Sequence, residues 1–137
     1  MPGQPGRSVV SDPDELRTLL QRYARAADDR DIDVLTALFH PDAMVDGARG
    51  KQSIAEWLEA MRAPRAFPVS MHVLGDPLIE LAGDTARLDT YAVVYQLGDR
   101  DAGQSDLTLG IRYLDDMVRR DGNWVIRNRV AKNLWMR

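Results

Sequence analysis

Apolar positions recur with a period near 3.6 through the first half of the chain and near two after Pro68. Leu16, Leu20, Tyr23 and Ala27 form one helical stripe, with Leu19 and Ala24 on its flanks. The segment Ser11–Glu15 reads as its start. Ser11 or Asp12 can cap the helix, Pro13 fits the first turn, and Asp14 and Glu15 suit the positive end of the dipole. A first helix is therefore expected from about Pro13 to Asp28. A second runs from about Ile32 to Phe39, capped by Asp31 or Asp33 and stopped before Pro41. Asp42 to Val45 is a short strand candidate, and Gly47 and Gly50 mark a turn. Ile54, Trp57, Leu58 and Met61 give a third helix within Lys51–Arg62.

The period-two region holds four expected strands. The first, Val69–Leu81, is interrupted by a bulge or bend at Gly75-Asp76-Pro77. Thr85–Leu97 follows after the Gly83-Asp84 turn. Ser105–Arg119 and Asn123–Trp135 are joined by the hairpin signal Asp121-Gly122. Helices followed by a meander argue for an α+β fold: a cone-shaped α+β barrel, with three N-terminal helices packed on a strongly curved antiparallel sheet. Such a cone leaves a natural small-molecule cavity. Its size would depend on how Met44, Trp57, Met61, Phe67, Met71 and Leu74 pack.

The chain has 137 residues, 45% of them apolar, which suits one domain with a real core. The Pro- and Gly-rich residues 1–10 are expected to be a flexible tail, and residues 11–137 a single domain. A net charge of −3 with scattered Lys and Arg argues against a nucleic-acid partner. With no cysteine and only His40 and His72, thiolate and multi-histidine metal sites drop out. No nucleotide or nucleophile-elbow fingerprint occurs, so no cofactor and no metal are expected. No apolar run is long enough to cross a membrane and no signal peptide is evident. The default location is the cytoplasm.

Two residues draw attention. Asp28 lies one residue beyond the apolar stripe, at the edge of the face that meets the core, whereas Asp29 points away. His72 sits in the first strand. Taken alone, a strand histidine is more often a satisfied core or edge residue than a base. Asp28 alone also reads as a helix-end acid or as the cap of the second helix. Tyr23 reads as a core aromatic with its hydroxyl bonded locally. Arg127 and Arg129 share a strand face opposite Trp124 and Ile126 if no bulge intervenes, which places them either in the pocket or on a solvated or subunit-facing surface. Asp115 and Asp116 straddle two faces and are expected to pair with strand arginines.

The chain resembles the SnoaL-like group of the nuclear transport factor 2-like superfamily. The resemblance rests on YARAADDRDIDVLTALFHPDA (23–43), on His72 within SMHVLGDPLIEL, and on IRYLDDMVRRDGNWVIRNR (111–129). The layout is similar to scytalone dehydratase, bile acid 7α-dehydratase and hexachlorocyclohexane dehydrochlorinase. This resemblance implies a catalytic pair, Asp28 and His72, with Tyr23 and Tyr113 placed to hydrogen-bond the substrate oxygen; Arg129 is a further substrate-binding candidate that could stabilise developing negative charge. Two departures stand out: no histidine follows His72, and Tyr113 falls near the position of scytalone dehydratase's pocket asparagine.

The implied activity is a cofactor-independent lyase or isomerase acting on a small hydrophobic, oxygen-bearing molecule. In it His72 is the base and Asp28 orients it. A polyketide cyclase or epoxide hydrolase is a second enzymatic reading, and a non-catalytic ligand-binding or association module is the alternative from another class. A His72 ring nitrogen within about 3.2 Å of Asp28, with both facing a closed apolar cavity, would favour the enzyme. Apolar residues on both faces of the last two strands (Leu107, Leu109, Ile111, Val118, Val125 and Val130) point to a homodimer or homotrimer.

Overall fold

The computed structural model describes residues 10–137, so the expected tail lies outside the described residues except for the exposed Val10. Helix α1 (Asp12–Asp29) is capped by the Ser11 side chain and closes on Arg30 in the left-handed region. Helix α2 (Ile32–Leu38) is capped by Asp31. Helix α3 (Ile54–Met61) starts at a capping box formed by Ser53 and Glu56. The strands are β1 (Phe39–Gly47), β2 (Gly50–Ser53), β3 (Val69–Leu74), β4 (Leu78–Ala82), β5 (Thr85–Leu97), β6 (Leu107–Arg120) and β7 (Asn123–Met136).

They build one curled sheet in the order β2-β1-β7-β6-β5-β3, with β4 also paired to β5. The expected interruption at Gly75-Asp76-Pro77 divides one strand into β3 and β4, which share the outer edge of β5. Gly75 fits this bend because its N–H donates to the Tyr91 carbonyl at 2.7 Å, and a side chain there would crowd that oxygen.

Four details differ from the sequence reading. First, the sheet is mixed and does not close on itself, because β1 runs parallel to β7. Second, Phe39 begins β1 rather than ending α2, and β1 passes through Pro41. The proline is tolerated because the β1–β7 ladder shifts register between Phe39 and Met44. Third, Lys51–Ser53 belongs to β2, since the Gly47–Gly50 turn pairs it with β1 before Ser53 starts α3. Fourth, a bulge between Asp116↔Asn128 and Met117↔Ile126 puts the faces of β7 out of step. Arg127 is the unpaired residue, so Arg129 faces inward, on the same side as Trp124 and Ile126 rather than opposite them.

The core lies between the helices and the concave face. Leu16, Leu20 and Leu35 from the helices meet Leu88, Met117 and Ile126 from the sheet. Inward β5 positions alternate strictly: Ala86, Leu88, Thr90, Ala92 and Val94 are all buried. The six apolar residues expected to form a surface on the last two strands are not the exposed ones, although Leu134, Trp135 and Met136 at the end of β7 are. Ile111 and Val125 are buried, and Leu107, Leu109, Val118 and Val130 are half-buried. The exposed apolar side chains are instead on the convex side and the sheet margin: Val69, Met71, Val73, Tyr91, Tyr95, Leu97 and Trp135. The cause is the bulges and the short edge strand β3, which leave that end of the sheet uncovered.

Candidate functional site

The C-terminal turn of α1 lies against β3, the last strand in the sheet order. An edge strand has N–H groups with no neighbouring strand to receive them. Asp28 fills that role for β3. The His72 main-chain N–H donates to its carboxylate at 2.9 and 3.2 Å. The Ser70 hydroxyl donates to the same group at 2.9 Å. The His72 ring then turns back, placing Nδ1 2.6 Å from Asp28 Oδ1. Strand alternation predicts that Ser70 and His72 share a face, so Ser70 was recoverable from sequence although it was not singled out.

Both side chains are largely enclosed, at 13% exposure for His72 and 18% for Asp28. Burial pulls the His72 pKa below its ordinary value of 6.5 and outweighs the opposing pull of Asp28, with Arg129 and Arg30 adding to the depression. The ring is therefore neutral at pH 7. In the tautomer that donates Nδ1–H to the carboxylate, Nε2 carries no proton, and it has no hydrogen-bond partner among the described residues.

The other three predicted residues sit together at the floor of the cone. Arg129 on β7 and Asp115 on β6 are cross-strand partners and form a bidentate pair at 2.7 and 3.0 Å. Both are almost fully buried. The guanidinium carbon lies 4.0 Å from the Tyr23 ring centre and 4.1 Å from that of Tyr113. Burial alone would lower the Arg129 pKa, but Asp115 and Tyr23 outweigh it and the net shift is upward. Burial pushes the Tyr113 hydroxyl well above its usual value, and Tyr23 adds to this. Arg129 Nη1 and the Thr90 hydroxyl are left without partners in the interior.

A cavity of about 220 Å³ opens here, lined among others by Tyr23, Trp57, Met61, Tyr113, Arg129 and Asn133. Trp57 and Met61 thus line it as expected, whereas Met71 lies on the convex face. His72 does not line it. The Tyr23 ring stands edge-on to His72 with centres 6.1 Å apart, and Tyr23 is the residue common to dyad and cavity. Four larger surface clefts, of about 330, 380, 510 and 690 Å³, contain none of the five predicted residues. Asp115 pairs with an arginine as the sequence suggested, and Asp116 faces outward toward Arg87 at 3.4 Å. Among the described residues, no three His, Cys, Asp or Glu side chains gather as metal ligands would. No helix among them is long and apolar enough to cross a membrane.

Three helices packed on a curled, unclosed mixed sheet make an α+β cone. The SnoaL-like domain model matches residues 8–130, and the chain belongs to that family. An uncharacterized protein, Rv2910c of Mycobacterium tuberculosis (strain ATCC 25618 / H37Rv), is 36% identical over 129 residues, covering 88% of this chain and 84% of its own. Among solved structures, a hexachlorocyclohexane dehydrochlorinase (LinA) Type2 superposes with a TM-score of 0.79 at 15% identity, covering 90% of this chain and 85% of its own. A nuclear transport factor 2-like superfamily protein from Salmonella enterica gives 0.75 at 21% identity, covering 88% and 89%. At these identities the structural likeness speaks to the fold alone.

Proposed function

We propose that this protein is a cofactor-independent lyase or isomerase acting on a small hydrophobic molecule that carries an oxygen. The observation that carries the reading is the 2.6 Å contact between His72 Nδ1 and the Asp28 carboxylate, on a ring held neutral by burial. Nε2 takes a proton from a carbon beside a carbonyl or a leaving group. The C–H electron pair then forms a double bond. In an elimination the leaving group departs with its own bonding pair; in an isomerisation the imidazolium returns the proton to another carbon. Asp28 fixes the tautomer and balances the imidazolium charge. Arg129 Nη1, with Tyr23 or Tyr113, stabilises negative charge gathering on the substrate oxygen.

The test is an NMR titration of the His72 ring in the intact protein and in Asp28→Asn. The asparagine oxygen can still accept the His72 main-chain N–H, so the fold should persist. The His72 pKa should fall further in the variant, and turnover on a found substrate should drop about 10²–10⁴-fold. An unmoved pKa would remove the dyad. The alternative is a ligand carrier without turnover, favoured by one observation: His72 is absent from the cavity wall. That reading predicts ligand binding unaffected by His72→Gln.

We also propose that the convex face is covered by a second copy of the chain, making a homo-oligomer. Tyr91, Tyr95 and Trp135 stand exposed together on that face, and Arg112 and Asp89 beside them satisfy one another as an ion pair, so a copy of the same surface can cover it.

A further inference from the structure

The proposed chemistry accounts for Arg129 but leaves three other arginines unexplained around the same cavity. Arg30 is the left-handed residue that ends α1. Its Nη1 donates to the Met61 carbonyl at 3.1 Å and lies 3.3 Å from the Met61 sulfur, and Met61 lines the cavity. Arg49, in the β1–β2 turn, lines the cavity directly. Arg65, in the loop after α3, donates to the main-chain carbonyl of Asp28. Arg49 thus lines the cavity, Arg30 is bonded to one of its wall residues, and Arg65 lies close enough for its charge to act on Arg30.

Among the described residues, none of the three pairs with a carboxylate; Arg22, Arg25, Arg127 and Arg137 do not either, but Arg30, Arg49 and Arg65 are set apart by lying near enough for their charges to act on one another. They also repel one another: burial first, then Arg65 and Arg49, hold the Arg30 pKa down. In a chain of net charge −3 this is a local excess of unpaired positive charge. Exposed arginines are usually just solvated, and screening makes scattered ones inert. Here Arg30 is half-buried and bonded to the cavity wall, and an anion among the three would relieve their repulsion and accept charge-assisted hydrogen bonds.

Arg129 differs. Asp115 already neutralises it, so its one unpartnered N–H calls for a neutral oxygen rather than a full negative charge. We propose that the ligand of this site is an organic anion of the oxo-acid type. Its anionic oxygens lie among Arg30, Arg49 and Arg65, its apolar body rests on Trp57 and Met61, and a neutral oxygen reaches Arg129. The inference rests on the cavity being the binding site in the proposed function, and it does not depend on His72 performing chemistry.

The test is calorimetric binding of 4-oxo-4-phenylbutanoate and of its methyl ester at low ionic strength. The acid should bind at least tenfold more tightly than the ester. Added salt should erode that preference. Arg49→Gln should reduce it about threefold, and Arg30→Gln/Arg49→Gln/Arg65→Gln should abolish it. Arg49 is exposed and makes no side-chain hydrogen bond in the fold, so its single variant decides the matter if the triple variant does not fold. Phenyl phosphate tells the source of the anionic oxygens: tighter binding than the carboxylate assigns the rim to phosphate esters, weaker binding to carboxylic acids. Equal binding of acid and ester, binding of neither, or a preference that survives Arg49→Gln and the triple variant overturns the proposal. Those results leave the His72 titration untouched, and failure of the dyad leaves the acid-over-ester preference untouched.

Discussion

On the concave side of β5 to β7, Thr90, Asp115 and Arg129 are buried, at 0%, 3% and 2% exposure. On the convex side of the same strands, Tyr91, Tyr95 and Trp135 stand 60%, 40% and 44% exposed. Each face thus carries, among residues ordinary for it, a few of the kind the other would usually hold. A charge pair taken out of water costs several kcal/mol per ion before its own attraction offsets it, and stability alone would be served as well by packed hydrocarbon. An exposed aromatic row gains nothing from folding. The contrast teaches that neither face is optimised for the isolated chain. The inner polar groups suit a ligand, and the outer apolar ones suit a surface that covers them. Trp135 illustrates the second point: its ring lies so close over Gly110 that a Cβ there would overlap the indole, so the glycine lets the tryptophan lie flat on the sheet.

The contrast can be broken from the inside first. Asp115→Ala leaves the Arg129 charge buried without its carboxylate and should cost about 3–5 kcal/mol in denaturant unfolding. Asp115→Leu/Arg129→Met, which removes both charges, should recover most of that loss while abolishing ligand binding. Equal destabilisation by the single and double changes would show that the pair is not the unit that matters.

From the outside, Tyr91→Asp puts a charge in the middle of the convex row. It should weaken self-association by about 2 kcal/mol or more, read by sedimentation, with little change in the unfolding of the monomer. A wild-type chain that is monomeric at high concentration would refute the covered-face reading.

The smallest effect is in pH. The folded His72 pKa lies below 6.5, so between the two values the unfolded chain binds more protons than the folded one. Stability should therefore fall as pH drops from about 6.5 through the folded value, and should not change from this group above 6.5. The acid limb of kcat/KM should likewise lie below 6.5. His72→Gln should flatten the stability trend over that window; a trend that persists belongs to another group.

Much of this protein was legible as a string. The 3.6-residue stripe on α1, the Ser11 and Asp31 caps and the Asp121-Gly122 hairpin are local signals, decided by side-chain direction and by hydrogen bonds within a few residues. The strand Thr85–Leu97 was legible with its bounds, and its burial alternates without a break because that strand runs without a bulge. The resemblance to SnoaL-like proteins brought Asp28 and His72 forward as a pair, and the fold does bring them into contact.

Other features depend on atoms far apart in sequence. One bulge on β7 moved Arg129 from an undecided face to the floor of the cone, between Tyr23 and Tyr113. A two-residue period cannot reveal a missing beat without the partner strand. The parallel seating of β1 on β7 joins segments from opposite ends of the chain and depends on the helices filling the cone. Asp28 binds the backbone of β3 as well as its histidine because β3 ends the sheet, and edge position is a property of the whole sheet. Arg30, Arg49 and Arg65 carry no pattern linking them in sequence. Their proximity, with Arg49 lining the cavity, Arg30 bonded to its wall at Met61 and Arg65 bonded to Asp28, is decided only by the packed tertiary structure.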